Sequence, residues 1–401
     1  MFQITHRSLS CNARTGIIAT AHGDIATPAF LFCATQGTLK GLSSETLLQH
    51  NVPILLANTY HLMLKPGSER IRDLGGLHTF MGWKRPIFTD SGGYQIFSLG
   101  HGSVSEEIKG QRHQRAGNSA PKSLVKVTEE GALFTSHHDG SRHALTPERS
   151  IEVQCHLGSD IMCVLDECTP YHISKENTAH SLALSHRWAL RSLHAFQTLR
   201  QPHQALYGIV QGGVYPDLRQ ESAEWISALP FSGHAIGGSL GTTKTQMQEV
   251  IDMALQSLSR DKPIHLLGIG GIRDIFSAVT KGIDTFDCVS PTRLGRHGGG
   301  IIKQHYWDDA KESFHPREHI NLWKACFQDD PRPIDITCLC STCKSYSRAY
   351  LHHLLKAKEL LALSALSLHN VSMMNRLMQE IRQGIFSDTL KQVQAAWIST
   401  S

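Results

Sequence analysis

Long apolar runs are missing from this 401-residue chain. None approaches the ~20 residues that a helix needs to cross a bilayer, so a helical membrane protein is not expected. The opening residues Met1-Phe2-Gln3-Ile4-Thr5-His6-Arg7 lack the apolar segment of a secretory signal, and a cytoplasmic setting is the expectation. Charge of one sign is also scarce. The 39 Lys and Arg against 35 Asp and Glu leave a net charge of +4, too small for composition to declare a nucleic-acid binder; only a local patch could do that. No solenoid-type repeat is present. The ten cysteines do not form an extracellular disulfide framework in so long a chain without an export signal. Cys11, Cys33, Cys155, Cys163 and Cys326 are scattered and read as plain buried thiols.

Against these absences stands a chain with 40% hydrophobic residues, enough for a large barrel-type domain with an appendage, or for two ordinary domains. Apolar runs near Phe30–Ala34, Ile54–Asn58, Ile87–Thr89, Ile161–Leu165, Leu206–Val210, His234–Ile236, Ile264–Leu267 and Thr285–Val289 read as strands. Amphipathic stretches at Thr146–Leu157, Glu176–Leu199, Thr245–Leu258 and Ile272–Lys281 lie between several of them. Near-continuous apolar strands alternating with helices argue for a parallel sheet covered by helices. Eight such units predict a (β/α)8 TIM barrel over residues 1–300. Residues 101–122 read as a flexible insertion loop and 123–136 as a β-hairpin. Residues 301–401 are expected to form a zinc-binding subdomain whose helices pack on the barrel.

The zinc expectation rests on Cys338, Cys340, Cys343 and His369, spaced Cys-x-Cys-x2-Cys-x25-His. Three thiolates and an imidazole suit a closed tetrahedral site, structural in role, with no position left for water. A helical pattern from Tyr346 to Leu366 would carry His369 back to the thiols. Iron–sulfur is disfavoured by the fourth-place histidine.

Polar residues collect where the strands end. Asp90 follows the third strand in Asp90-Ser91-Gly92-Gly93-Tyr94-Gln95, Asp166 ends the fourth, Gln211 the fifth, Gly238 the sixth and Asp287 the eighth. Barrel enzymes build their sites at that end. The Asp and Gln could read a purine edge, Gly92 and Gly93 would let backbone approach a flat ligand, Gly238 offers a bare N–H, and Tyr94 offers a ring for stacking. Asp287 is followed at once by Pro291, Arg293, Gly295 and Arg296. A nucleophilic carboxylate beside arginines with forked, permanently charged donors is what chemistry on a nucleotide sugar needs. Plainer readings stay open for each motif: Asp90 and Asp287 as turn caps, Tyr94, Glu167 and Cys168 as packing, the arginines as surface charge. The same holds for Lys344, Arg348, His352, His353, Lys356 and Lys358 beside the cysteines, either a solvated face or a phosphate-binding one.

From Ile4 to the C-terminal helix, the chain resembles the tRNA-guanine transglycosylases (queuine tRNA-ribosyltransferases) of bacterial type. The motifs carrying this are Asp90-Ser91-Gly92-Gly93-Tyr94-Gln95, Ser136-His137-His138-Asp139-Gly140-Ser141, Asp166-Glu167-Cys168, Gln211-Gly212-Gly213, the Asp287 run and the Cys3His spacing. The resemblance implies exchange of the wobble guanine of GUN-anticodon tRNAs for a free 7-deazaguanine base, one structural Zn2+ per chain and a homodimer. Asp287 would attack the ribose C1′ as nucleophile, and Asp90 would act as general acid/base, a pairing that parallels retaining glycoside hydrolysis. Asp90, Ser91, Gly92, Gly93, Tyr94, Asp166, Gln211 and Gly238 match base-binding positions. Gly268, Ile269, Gly270, Gly271, Ile272, Arg273 and Asp274, with Thr292, Arg293, Leu294, Gly295 and Arg296, match RNA-contacting segments.

The chain departs from the bacterial pattern after Gly237-Gly238. Ser239-Leu240-Gly241-Thr242-Thr243 is one residue shorter and has no carboxylate where relatives place a Glu that holds the aminomethyl group of preQ1. Arg273 also stands where an acidic residue is usual. Queuine is therefore expected over preQ1, with Thr242 and Thr243 as candidate partners. Two other classes compete. A non-catalytic zinc-containing RNA-binding scaffold would not need Asp90 and Asp287. A small-molecule barrel hydrolase would have no reason for Arg293, Arg296 and the zinc appendage.

Overall fold

Eight short, almost wholly buried strands pair in parallel around a closed ring. They are β1 (Ala29–Cys33), β2 (Leu55–Ala57), β3 (Ile87–Thr89), β4 (Ile161–Cys163), β5 (Ala205–Val210), β6 (Gly233–Ile236), β7 (Ile264–Leu266) and β8 (Thr285–Cys288). Neighbours in the barrel are neighbours in sequence, and β8 closes on β1 with Asp287 opposite Leu31. Closure removes every sheet edge, which is how strands this apolar avoid pairing with other chains. Each apolar run predicted from sequence holds one barrel strand, so the (β/α)8 expectation holds. The computed structural model describes residues 2–101, 125–136, 138–303 and 318–398, with no side chains for 98–101. Of the insertion loop expected at 101–122, His101 instead ends the helix Gly93–His101, and 102–122 lie outside the described residues.

Helices cover the barrel and start where capping chemistry permits. They include α1 (Pro147–Leu157), α2 (Lys175–Leu199), α3 (Pro216–Ala228), α4 (Lys244–Ser257), α5 (Ile272–Thr280) and α6 (Ser290–Arg296). Thr146, Ser174 and Thr243 accept the N–H of the residue three positions on, at 3.1–3.2 Å, satisfying otherwise orphaned donors. Pro147 and Pro216 open α1 and α3, where a missing N–H costs nothing.

An antiparallel sheet of Phe2–Arg7, Arg14–Thr20 and Gly23–Thr27 sits at the amino end of the barrel strands. It is tied there by buried Arg14, which forks onto Asp284 at 2.9 and 2.6 Å just before β8 begins. Residues 125–145 form a second antiparallel sheet, Val125–Val127, Ala132–Thr135 and Arg142–Leu145. The third strand adds to the hairpin read from sequence.

After β8 the strand Gly299–Ile301 pairs with His319–Asn321, so the 300/301 position falls within a strand. One helix from Tyr346 to Leu366 was expected. Two form instead: α7 (Arg348–Lys356) and α8 (Leu360–Phe386). The break comes at Lys358, whose φ of +59° is left-handed, and the Glu359 N–H returns to the Leu354 carbonyl at 2.9 Å. The long α8 lies against α6 and the barrel. Its buried Asn370 donates to the Pro291 and Gly299 carbonyls and accepts from Ile301 N–H, at 2.8–3.0 Å.

Candidate active site and metal centre

The carboxyl ends of the strands bring together Asp90, Asp166, Gln211, Gly238 and Asp287, as barrel geometry requires. Asp90 follows β3. Its Oδ1 accepts the Thr59 N–H at 2.9 Å, and its Oδ2 accepts the carboxamides of Asn58 and of Gln95, the latter at 2.8 Å. Burial nevertheless pushes its pKa up to about 6, and the nearby charge of Asp287 adds to the rise. A carboxyl poised there can both give and take a proton near neutrality.

Asp166 accepts the Ser91 hydroxyl at 3.4 Å and the Gln211 carboxamide. Burial raises its pKa to about 6. The backbone of this wall is held from behind by Arg219 on α3, fully buried, which donates to the carbonyls of Val210, Gly213, Gly237 and Ser239 at 2.7–3.0 Å. One guanidinium thus ties the ends of β5 and β6 together. Gly238 has φ +74°, and a Cβ there would run into the Gln211 carboxamide at 2.1 Å. Gly93 serves packing more than ligand approach, because a Cβ would meet the Asp166 carbonyl at 2.8 Å. Tyr94 keeps 42% of its surface exposed, leaving its ring available.

Asp287, on β8, is 9% exposed. Its Oδ1 accepts from the Gly268 N–H at 2.9 Å and pairs with His265 Nε2 at 3.2 Å, while Oδ2, among the described residues, faces only the Cys33 thiol at 3.7 Å. Asn58, Arg219 and His265 were not picked out from sequence, and Gln95 was quoted in the Asp90 motif without a role. A lone histidine inside the apolar strand Ile264–Leu266 was the one visible signal.

The expected RNA-contacting segments divide. Ile272, Asp274, Thr292 and Gly295 are buried: Asp274 pairs with Lys244, and Gly295 abuts the α8 backbone at Ser367. Gly268 and Arg293 are exposed, while Ile269, Gly270, Gly271, Arg273, Leu294 and Arg296 are half-buried. The basic run beside the cysteines is corrected in the same way. Arg348 turns inward to Asp330 and the Pro333 and Ile334 carbonyls, and His352 to the Leu322 carbonyl. Lys344, His353, Lys356 and Lys358 remain exposed.

Cys338, Cys340, Cys343 and His369 converge, with all four ligand atoms within 4.8 Å of one another. His369 Nδ1 lies 3.2 Å from Cys343 Sγ and 3.7 Å from Cys340 Sγ. Its Nε2 donates to the Ile301 carbonyl at 2.7 Å, which leaves the Nδ1 lone pair facing the thiols. The donor set fits one tetrahedral Zn2+ with a structural role. Cys340→Ala is expected to lower zinc content and speed proteolysis of the segment after about residue 300; full zinc retention would remove Cys340 from the ligand set. A second group, His22, His78 and Asp160, lies at the opposite end of the barrel. There the two rings stack 3.6 Å apart and Asp160 also accepts the Ile87 N–H. In-plane lone pairs of stacked rings cannot converge on one ion, so this group is a tether.

The profile of the queuine tRNA-ribosyltransferase family matches residues 10–401. The chain belongs to that family. Proteins named queuine tRNA-ribosyltransferase are similar along their whole length. The one from Roseiflexus sp. (strain RS-1) is 46% identical over 406 residues, covering 99% of this chain and 98% of its own. That from Protochlamydia amoebophila is 43% identical over 390 residues, 97% of this chain and 96% of its own. That from Zymomonas mobilis subsp. mobilis is 45% identical over 376 residues, 93% and 88% respectively. Queuine tRNA-ribosyltransferases are pentosyl-transferring enzymes, and the chain is an enzyme of that kind. Among the described residues, no helix is long and apolar enough to cross a membrane.

Proposed function

We propose that the protein exchanges the wobble guanine of GUN-anticodon tRNAs for a free 7-deazaguanine base, through a covalent ribosyl ester on Asp287. The observation that carries this reading is the pair of strand-end carboxylates. Among the described residues, one oxygen of Asp287 meets no N–H donor, and Asp90, close enough to feel the Asp287 charge, has a pKa lifted to about 6. One carboxylate can attack C1′ while the other neutralises the departing base and later deprotonates the incoming one. Asp166, Gln211 and the Gly238 N–H form a polar edge suited to a purine-like base, with Tyr94 as its stacking face. Exposed Arg293 and half-buried Arg296 would grip the flanking phosphates. The anticodon loop is single-stranded, so splaying one base out is cheap. A homodimer in the cytoplasm is the setting the family resemblance suggests.

Queuine is the favoured base. The segment after Gly238 presents Thr242 and Thr243, both exposed and both uncharged. Thr243 is already engaged, its hydroxyl capping α4 through the Gln246 N–H at 3.1 Å, which leaves Thr242 as the better partner for a substituent. Desolvating the ammonium without a carboxylate costs several kcal/mol for either base, and only queuine brings a diol that a threonine hydroxyl can hold in return. Guanine exchange into tRNA, with queuine and preQ1 as competing bases, tests both levels. No exchange with any base would refute the transglycosylase reading; preQ1 incorporated as efficiently as queuine would refute the base preference.

A further inference from the structure

His265 occupies a place that the two carboxylates alone do not explain. It sits on β7 directly opposite Thr285 of β8 in the strand register, so it faces the same side of β8 as Asp287, two residues further on. The ring is fully buried and tilts against Phe88 with centroids 4.8 Å apart. Both nitrogens are engaged, Nδ1 with Thr285 Oγ1 at 2.9 Å and Nε2 with Asp287 Oδ1 at 3.2 Å. A carboxylate oxygen only accepts, so the proton belongs on Nε2, and Nδ1 then takes the Thr285 hydroxyl hydrogen. The carboxylate therefore sets the tautomer, and the Thr285 hydroxyl, donating to Nδ1, holds the ring in the orientation that presents Nε2–H to Asp287.

We propose that His265 is a positioning residue for the nucleophile and that Asp287 Oδ2 is the attacking oxygen. This rests on Asp287 being the nucleophile. With Gly268 N–H and His265 Nε2–H both on Oδ1, the lone pairs of Oδ1 are committed. Among the described residues, Oδ2 faces only the weak thiol donor of Cys33. In the first half-reaction, an Oδ2 lone pair forms the bond to C1′ as the C1′–N bond to guanine breaks. That electron pair leaves on guanine and is neutralised by the Asp90 proton. Oδ1 becomes the ester carbonyl and keeps the same two donors. In the second half, Asp90 takes the proton of the incoming base, whose nitrogen attacks C1′. The Oδ2–C1′ pair then returns to the carboxylate, which the donors on Oδ1 have held in the attacking orientation throughout. The same two hydrogen bonds serve both directions of the exchange.

The test is single-turnover formation and discharge of the covalent tRNA adduct by the full-length enzyme. His265→Leu is expected to slow both steps by about 10- to 100-fold, the effect of a reacting carboxylate no longer held in line with C1′. Its KM for tRNA should stay within about two-fold, because the contact is made to the reacting carboxylate and not to RNA. His265→Gln, whose amide nitrogen comes near the place of Nε2, should restore most of the rate. Thr285→Val removes only the hydroxyl on Nδ1 and is expected to lower the rate several-fold with an unchanged melting temperature. Wild-type adduct rates in His265→Leu, or equal losses in the Leu and Gln variants, would overturn the role. If the position 265 variants melt early, an unchanged rate in Thr285→Val overturns it instead. An adduct formed by Asp287→Asn would remove the nucleophile reading beneath it, a separate outcome that no position 265 variant can mimic.

Discussion

Asp287→Asn is expected to abolish base exchange while leaving tRNA affinity within a few-fold of wild type. The substitution suits the local network. The asparagine oxygen can take the place of Oδ1, accepting from Gly268 N–H and His265 Nε2 at the observed 2.9 and 3.2 Å. Its NH2 then stands where Oδ2 faces Cys33. The fold therefore tolerates the change, but an amide nitrogen has no lone pair available to form the ribosyl ester. Binding persists because phosphate contacts come from other residues. A mildly denaturing gel should show a covalent tRNA adduct with wild type and none with the variant. Appreciable exchange by Asp287→Asn would sink the assignment.

Asp90→Asn should be nearly as severe, with a loss of ~10²–10⁴-fold, the usual contribution of a positioned proton donor and acceptor. Its signature is the pH dependence. Burial raises the Asp90 pKa from 3.8 to about 6, so the proton needed to neutralise departing guanine is held up to that pH and lost above it. Adduct formation in wild type is therefore expected to fall as pH rises through about 6. Discharge by an incoming base needs the ionised form and should rise over the same interval. In Asp90→Asn both residual rates should lose this inflection. The surrounding donors can adapt, since the Asn58 and Gln95 carboxamides can turn their oxygens toward the new amide. A wild-type pH profile in the variant would assign the proton to another group.

These two carboxylates were legible in the sequence because each ends an apolar strand and is followed by glycine, proline or arginine, a local pattern. Their partners were not. Asn58 and His265 belong to other segments, and nothing in their immediate neighbours distinguishes them from packing residues; Gln95 lies in the Asp90 motif itself, but its bond to the carboxylate appears only once α-helical geometry turns it back. His265 stands 22 residues from Asp287, and only the β7–β8 register puts the two on one face. Arg219 lies on α3, a helix not read from the sequence, and is fully buried beneath four carbonyls. Conversely, Arg348 and His352 looked like part of a basic face. A helix shows its periodicity in sequence, but which polar residue rolls inward depends on acceptors elsewhere, here Asp330 and the Leu322 carbonyl.

Local chemistry acts over one strand or one helical turn, and the sequence by itself determined what such chemistry controls. That includes the eight apolar runs, the capped helix starts, the three clustered thiols and the strand-end carboxylates, and from them the barrel and the family. Tertiary structure alone decided which oxygen of Asp287 is left free, how far burial lifts Asp90 and Asp166, and where the long C-terminal pattern breaks at Lys358. Each of these depends on groups brought together across the barrel, where exclusion of water and strand register set the energies.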